Sequence, residues 1–201
     1  MLWAEGVVGV RERARPLAPE ERRAAILDAV IPLLKERGRS VSTRQMAEAA
    51  GVAEGTLFRA FGDKESIFAA AIRRYFDPEP FRERMRGIDP EEPAEDKVRQ
   101  VVTLFVERFS GIVGFMSAMS IEQGPPPSDE DFRSSTWFEV VARLFRPGEL
   151  AVPAETLAFF VRQVAFGSAI PAFNGPHPFT ADELADLILR GVLPATPRKK
   201  G

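Results

Sequence analysis

The stretch from Ser40 to Phe76, SVSTRQMAEAAGVAEGTLFRAFGDKESIFAAAIRRYF, restricts what this chain can fold into more than any other feature. Ser42 and Gln45 have the spacing of a capping box, which opens a helix whose apolar positions Met46, Ala47 and Ala50 share one face. Gly51 ends that helix where a left-handed residue is needed, and Val52 plugs the turn. A second short helix is expected from Glu54 to Phe61. Leu57 and Phe61 lie four residues apart on its inner side, and Glu54, Gly55, Thr56 and Arg59 lie outward. Asp63 then caps a longer helix that begins at Lys64. The first two helices and their joint form a helix-turn-helix. A short helix with a packed inner face and a slim polar outer face can enter a major groove.

Several spaced positions carry a family resemblance: Thr43 and Arg44, Met46-Ala47, Ala50-Gly51-Val52, Gly55-Thr56-Leu57-Phe58, Phe61, and Asp63-Lys64-Glu65. In this order they resemble the DNA-binding domain of TetR-family transcriptional regulators, over residues 40–76. The resemblance implies an all-α chain of about nine helices. A flexible basic arm would cover 1–18, a three-helix DNA-binding domain 19–77, a larger helical effector-binding and dimerisation domain 78–195, and a tail 196–201. It also implies that Thr43 and Arg44 face phosphates and that Lys64 clamps another. Glu54, Gly55, Thr56, Phe58 and Arg59 would meet the DNA across the reading helix, with Arg59 the first candidate for a guanine contact. Each has a plainer reading as a surface or packing residue. The sequence departs from the family at Ala53, where Ser or another N-cap is usual, at Phe58 for a frequent Tyr, and at Ala60 for a frequent His or Tyr.

Composition agrees with a binder of DNA. The 201 residues are 45% hydrophobic, enough for one good core and a smaller second one. There are no cysteines, which excludes disulfides, thiolate nucleophiles and zinc–thiolate sites. The single histidine, His177, sits in a Gly-Pro-His-Pro segment. No nucleophile motif or phosphate-cradling glycine loop accompanies it, so neither enzyme activity nor a metal or cofactor is expected. No run reaches the roughly 18 apolar residues of a membrane span, and the opening MLWAEGVVGV is a poor signal peptide; a cytoplasmic protein is expected. The net charge of −2 hides an asymmetry: residues 11–76 hold 13 Lys or Arg against 9 Asp or Glu, on an acidic remainder.

Outside the motif, helical spacing predicts a first helix from near Pro19 to Arg37, bent or staggered at Pro32. Arg11, Arg13 and Arg15 precede it on an arm that either contacts DNA or is a solvated tail. A proline-broken hinge over 77–93 holds one short helix. Further helices are expected over 94–111 with a continuation to 122, from about Ser128 to Phe145, from Pro153 to Ile170, and from Thr180 to Leu193. By the resemblance, the last two form the dimer surface, through Leu157, Val161, Val164, Ser168, Leu184, Leu187 and Ile188, although the same stripes also suit the monomer's own core. The helices before them would surround an apolar effector pocket drawn from Phe105, Phe109, Phe115, Met116, Met119, Trp137, Phe138, Phe159, Arg162 and Phe166. Plain core is the alternative for each. The function implied is a repressor, binding a palindromic operator as a homodimer and released by a small, mostly hydrophobic effector. The alternatives are an activator of the same family and a helical ligand-binding protein whose DNA reader has weakened.

Overall fold

The computed structural model describes residues 18–122 and 136–192, and every regular element among them is helical. In order these are α1 (Pro19–Arg37), a 3-10 turn (Gly38–Ser40), α2 (Thr43–Ala49), α3 (Glu54–Phe61), α4 (Lys64–Phe76), α5 (Glu79–Arg86) and α6 (Ala94–Ala118). Then come α7 (Thr136–Ala142), α8 (Ala154–Ala169), a 3-10 turn (Pro171–Phe173) and α9 (Ala181–Val192). The basic arm up to residue 17, the tail from residue 193 and the helix start expected near Ser128 lie outside the described residues.

Local chemistry sets the helix starts. Ser42 N donates to Gln45 Oε1 at 2.9 Å while Gln45 N donates to Ser42 Oγ at 3.2 Å, closing the capping box on α2. Thr180 and Glu183 repeat it on α9, at 2.8 and 3.2 Å. Asp63 Oδ1 accepts from Ser66 N at 2.7 Å, and that bond holds the Asp63 carboxyl below the usual carboxylate range. Gly51 takes φ 64° after α2, so the glycine in the turn is conformationally required. α1 continues through Pro32 as one helix. Pro32 is exposed, so the carbonyl that loses its helical partner there can turn to water.

Two hydrophobic cores result. The head packs Ile26, Leu27, Val30 and Leu34 of α1 against Met46, Ala47, Leu57, Ile67, Phe68 and Ala71. The body packs Val98, Val101, Val102, Leu104 and Phe105 of α6 against α7, Leu157, Ala158, Val161 and Ala165 of α8, and Leu184, Ala185, Ile188 and Leu189 of α9. One element enters both. At 1.5 Å rise per residue, Phe115 lies about 15 Å along α6 from Phe105. Phe115 and Met119, both fully buried, therefore sit in the head core beside Tyr75, not in a body pocket as the sequence suggested. By length and composition α6 is apolar enough to cross a bilayer. Here its apolar positions serve the two cores, and its internal charges Glu107 and Arg108 bind α5 and the end of α4.

The contact between head and body is close. Gly38 has φ 59°, and a Cβ there would stand 1.9 Å from the Ala118 carbonyl oxygen. Arg108, pushed by burial below the ordinary arginine pKa, donates to the carbonyls of Tyr75, Phe76 and Asp77 at 3.0, 2.9 and 3.1 Å. These carbonyls end α4 and have no intrahelical partners of their own.

Within the body, Lys97 is the one fully buried charge among the described residues. Its Nζ donates to Pro90 O at 3.0 Å, Leu144 O at 2.8 Å and Glu149 Oε2 at 2.7 Å, which uses all three protons. Hydrogen bonding from Lys97, and then from the Arg146 backbone N–H, holds the Glu149 carboxyl below the usual glutamate range. A carboxyl with a depressed folded pKa contributes stability above the ordinary glutamate pKa, and loses it as pH falls through the folded value. Lys97→Met should lose about 2–3 kcal/mol near neutral pH, through two unpaired carbonyls and a stranded carboxylate. Urea unfolding of both proteins at about pH 7 and about pH 3 should show a shallower acid-induced loss in the variant.

Candidate nucleic-acid interface

The reading surface is built on α3, whose inner and outer faces are sharply divided. Leu57 is fully buried in the head core, and Thr56, Ala60 and Phe61 are half-buried. Glu54, Gly55, Phe58 and Arg59 are exposed together on one face. Phe58 is 43% exposed, so its ring is available to a partner and is not spent in the core. Arg59 Nε donates to the Gly55 carbonyl at 3.2 Å, folding the side chain back against its own helix. Thr56, expected on the outward face, sits at its edge.

The start of α3 lacks a side-chain cap. Ala53 has the extended geometry of an N-cap, φ −70° and ψ 145°, but no group with which to accept. A different bond ties this end down: Thr43 Oγ1, at the first residue of α2, donates to Glu54 Oε1. Thr43 is thus partly buried and already engaged, while Arg44 next to it is exposed and pairs with Glu48 at 2.9 Å. The hydrogen bond from Arg44 to Glu48 raises the pKa of the guanidinium, which stays a cation at every ordinary pH. At the other end of α3, Arg23 of α1 donates to the Ala60 carbonyl at 2.7 Å and lies 5.7 Å from the Phe61 ring centre.

Lys64 begins α4 beside this surface, and the fold gives it a companion that sequence spacing hides. Arg39 of the 3-10 turn stands 4.8 Å from the Phe68 ring centre, and Lys64 Nζ stands 5.2 Å from the same ring. Lys64 Nζ also donates to the Arg39 carbonyl at 3.3 Å, and Arg39 pairs with Glu65. Two cations gathered around one aromatic ring, one from either side of the helix-turn-helix, make a basic edge next to α3. Only the juxtaposition of the turn and α4 reveals Arg39; its signal in sequence is a lone arginine after a glycine.

Residues 26–71 match the family described as bacterial regulatory proteins, tetR family. This is a TetR-type DNA-binding domain. The HTH-type transcriptional repressor KstR of Rhodococcus jostii is 43% identical over 61 residues, which are 30% of this chain and 29% of that protein. The similarity to such curated relatives thus spans under a third of their length. The fold likeness extends further. A TetR transcriptional regulator from Streptomyces coelicolor superposes with a TM-score of 0.56 at 23% identity, over 87% of this chain and 99% of the other. A putative regulator from Saccharomonospora viridis, solved in complex with choline, gives 0.57 at 18% identity, over 88% and 100%.

Behind the TetR-type domain, the body brings most of the suggested pocket aromatics together. Phe105 packs on Trp137 with ring centres 5.5 Å apart, Phe109 on Phe166 at 5.4 Å, and Phe138 on Phe159 at 3.7 Å. Phe81 of α5, absent from the sequence-based set, joins at 5.0 Å from Phe105. Arg162 lies 5.7 Å from the Trp137 ring centre. Met116 is half-buried toward the head end of α6, away from these rings, near Phe115 and Met119 in sequence and helix position. The opposite flank of α8 meets α9 in an apolar groove of about 360 Å³. Phe160, Val164, Ser168, Leu184, Leu187 and Ile188 line it together with Phe173 and Phe179 of the intervening segment. Of the residues suggested for a dimer surface, Val164, Ser168, Leu184, Leu187 and Ile188 reach this groove, whereas Leu157 and Val161 belong to the body core. A second cleft, about 730 Å³ between α1 and α4, is lined by charges including Glu20, Arg23, Arg73 and Asp77 and does not suit an apolar ligand.

The uncapped α3 carries its own test. Ala53→Ser places an acceptor at a residue already in cap geometry and should stabilise the protein by about 1 kcal/mol. Chemical denaturation of the two proteins side by side measures it; no gain would mean that the Thr43–Glu54 bond already does the work of a cap.

Proposed function

We propose that this protein is a cytoplasmic transcriptional repressor that binds a palindromic operator as a homodimer and leaves it when a small, mostly hydrophobic effector enters the body. The observation that carries the reading is the exposed α3 face of Glu54, Gly55, Phe58 and Arg59, flanked by Arg39, Arg44 and Lys64. That is a slim ridge with a cationic rim, matched to a major groove and its phosphates. Binding, not bond-making, is the activity such a surface supports.

A dimer is supported by the α8–α9 groove. Phe160, Phe173, Phe179 and Leu187 are 50, 73, 56 and 52% exposed, a contiguous apolar area that a second copy would cover. Two-fold symmetry then sets two reading helices about 34–36 Å apart. The aromatic cluster of Phe105, Phe109, Trp137, Phe138, Phe159 and Phe166 supports an effector with apolar surface, and Arg162 supplies a cation at its edge. An effector acts only by as much as it prefers one arrangement of the head over another. The route proposed runs along α6, whose Arg108 holds the end of α4.

Selection of genomic DNA fragments by the purified protein at two salt concentrations tests the reading. An inverted repeat, recovered less well at high salt, is the expected outcome. Lys64→Ala should weaken binding to all sequences and reduce the salt slope, while Arg59→Ala should relax base preference at one position per half-site by about 1–3 kcal/mol. Equal behaviour of the two variants would break this division of roles. Recovery of nothing at low salt would favour a ligand-binding protein with a decayed reader.

The dimer is tested separately. Leu187→Asp changes an exposed side chain, so folding should survive while a carboxylate enters the apolar face. Sedimentation should shift from dimer to monomer, and operator binding should fall with it. A variant that remains dimeric would move the interface elsewhere.

A further inference from the structure

A carboxylate on the reading face of a DNA-binding helix requires an explanation, because DNA presents a dense row of phosphates to anything that approaches it. Glu54 is such a group. It lies in the first turn of α3, exposed, at the end that reaches base edges in helix-turn-helix readers. Two ridges run along this face, Glu54 to Phe58 and Gly55 to Arg59, each pair four residues apart. Arg59 is drawn back along its ridge by the bond from Nε to the Gly55 carbonyl at 3.2 Å. The guanidinium is thereby held close against the helix, along its own ridge.

The two charges do not neutralise each other. Among the described residues Glu54 makes no ion pair with Arg59; its Oε1 accepts instead from Thr43 Oγ1. This bond fixes the carboxylate from outside the reading helix and leaves Oε2 without a protein donor among the described contacts. An acceptor and a donor fork thus share the exposed face of α3. On a major-groove edge, guanine offers two acceptors, which suit arginine, and cytosine offers only its N4 amino donor, which suits a carboxylate. Adenine also donates, from N6, but places the N7 acceptor beside it, where a carboxylate is repelled.

We propose that Glu54 is a specificity-determining residue whose unengaged carboxylate oxygen accepts a hydrogen bond from cytosine N4, next to the base taken by Arg59. This rests on the reading of α3 as the DNA-contacting helix. Thr43 acts through Glu54 as a positioning residue. The cost of bringing a carboxylate near phosphates is then offset only on sites with the correct base, so the residue discriminates more than it attracts.

The experiment is competition binding of the full-length protein on duplexes carrying each base in turn at every half-site position, for wild type, Glu54→Ala and Glu54→Gln. Wild type should show one position where cytosine is favoured about 10- to 100-fold. Glu54→Ala should lose that preference and no other. Glu54→Gln should move it toward adenine, which a side-chain amide matches at N6 and N7. If both variants instead bind every duplex more tightly by the same factor and keep the wild-type preferences, Glu54 is only a repelling charge and the proposal is overturned while the DNA reading stands. If wild type binds no duplex even at low salt, both fall together. Glu54→Ala removes the bond from Thr43 and should melt somewhat lower, whereas Glu54→Gln keeps an amide oxygen that can accept it and should melt with wild type, which separates a reading defect from a folding one.

Discussion

Residues Val98 to Phe105 of α6 lie in the body core, and Phe115 and Met119 at its far end lie in the head core, so a single helix is shared between two hydrophobic clusters. The remaining architecture depends on that sharing. The head is α2, α3 and α4 beside α1, and to its own buried Leu34, Met46, Leu57, Ile67 and Phe68 the far end of α6 adds Phe115 and Met119. Small domains bury a smaller fraction of their surface, so a borrowed pair of large apolar residues matters most there. The close approach of Gly38 to Ala118 and the capping of α4 by Arg108 follow from the same contact.

The reading surface is, by contrast, thinly built. Eight residues of α3 are held by one fully buried leucine, a half-buried Phe61, an arginine on the Ala60 carbonyl and a threonine–glutamate bond at the start. None of these covers the outward face, which leaves Glu54, Gly55, Phe58 and Arg59 to an external partner. The departures from the family pattern acquire meaning in this setting. Ala53 removes a cap, and the Thr43–Glu54 bond spans the same end of the helix from α2. Phe58 lacks a hydroxyl but remains exposed, so what it offers an external partner is apolar surface.

Much of this was legible in the sequence because it depends on neighbours along the chain. Capping boxes at Ser42–Gln45 and Thr180–Glu183, the left-handed Gly51 and the cap at Asp63 are short-range bonds among residues two to four apart, and the structure forms each of them. The inward Leu57 and outward Arg59 follow from helical period alone. The same local reasoning counts the hydrogen bond missing at Pro32 but not an exposed carbonyl's access to water, and α1 continues through that residue. It also grouped Phe115 and Met119 with the body aromatics, since composition does not reveal how far along a helix one core gives way to the next.

By itself the sequence determined an all-helical chain, the helix-turn-helix and which side of each short helix is apolar, because helix propensity, capping and period operate within a few residues. Only the tertiary structure decided that Arg39 and Lys64 meet over Phe68, that Thr43 holds Glu54, that Arg108 binds the end of α4, and that the α8–α9 flank is left uncovered. Those contacts join residues 11 to 33 positions or more apart. No local preference encodes them, because they exist only once packing of the two cores has fixed how the helices cross.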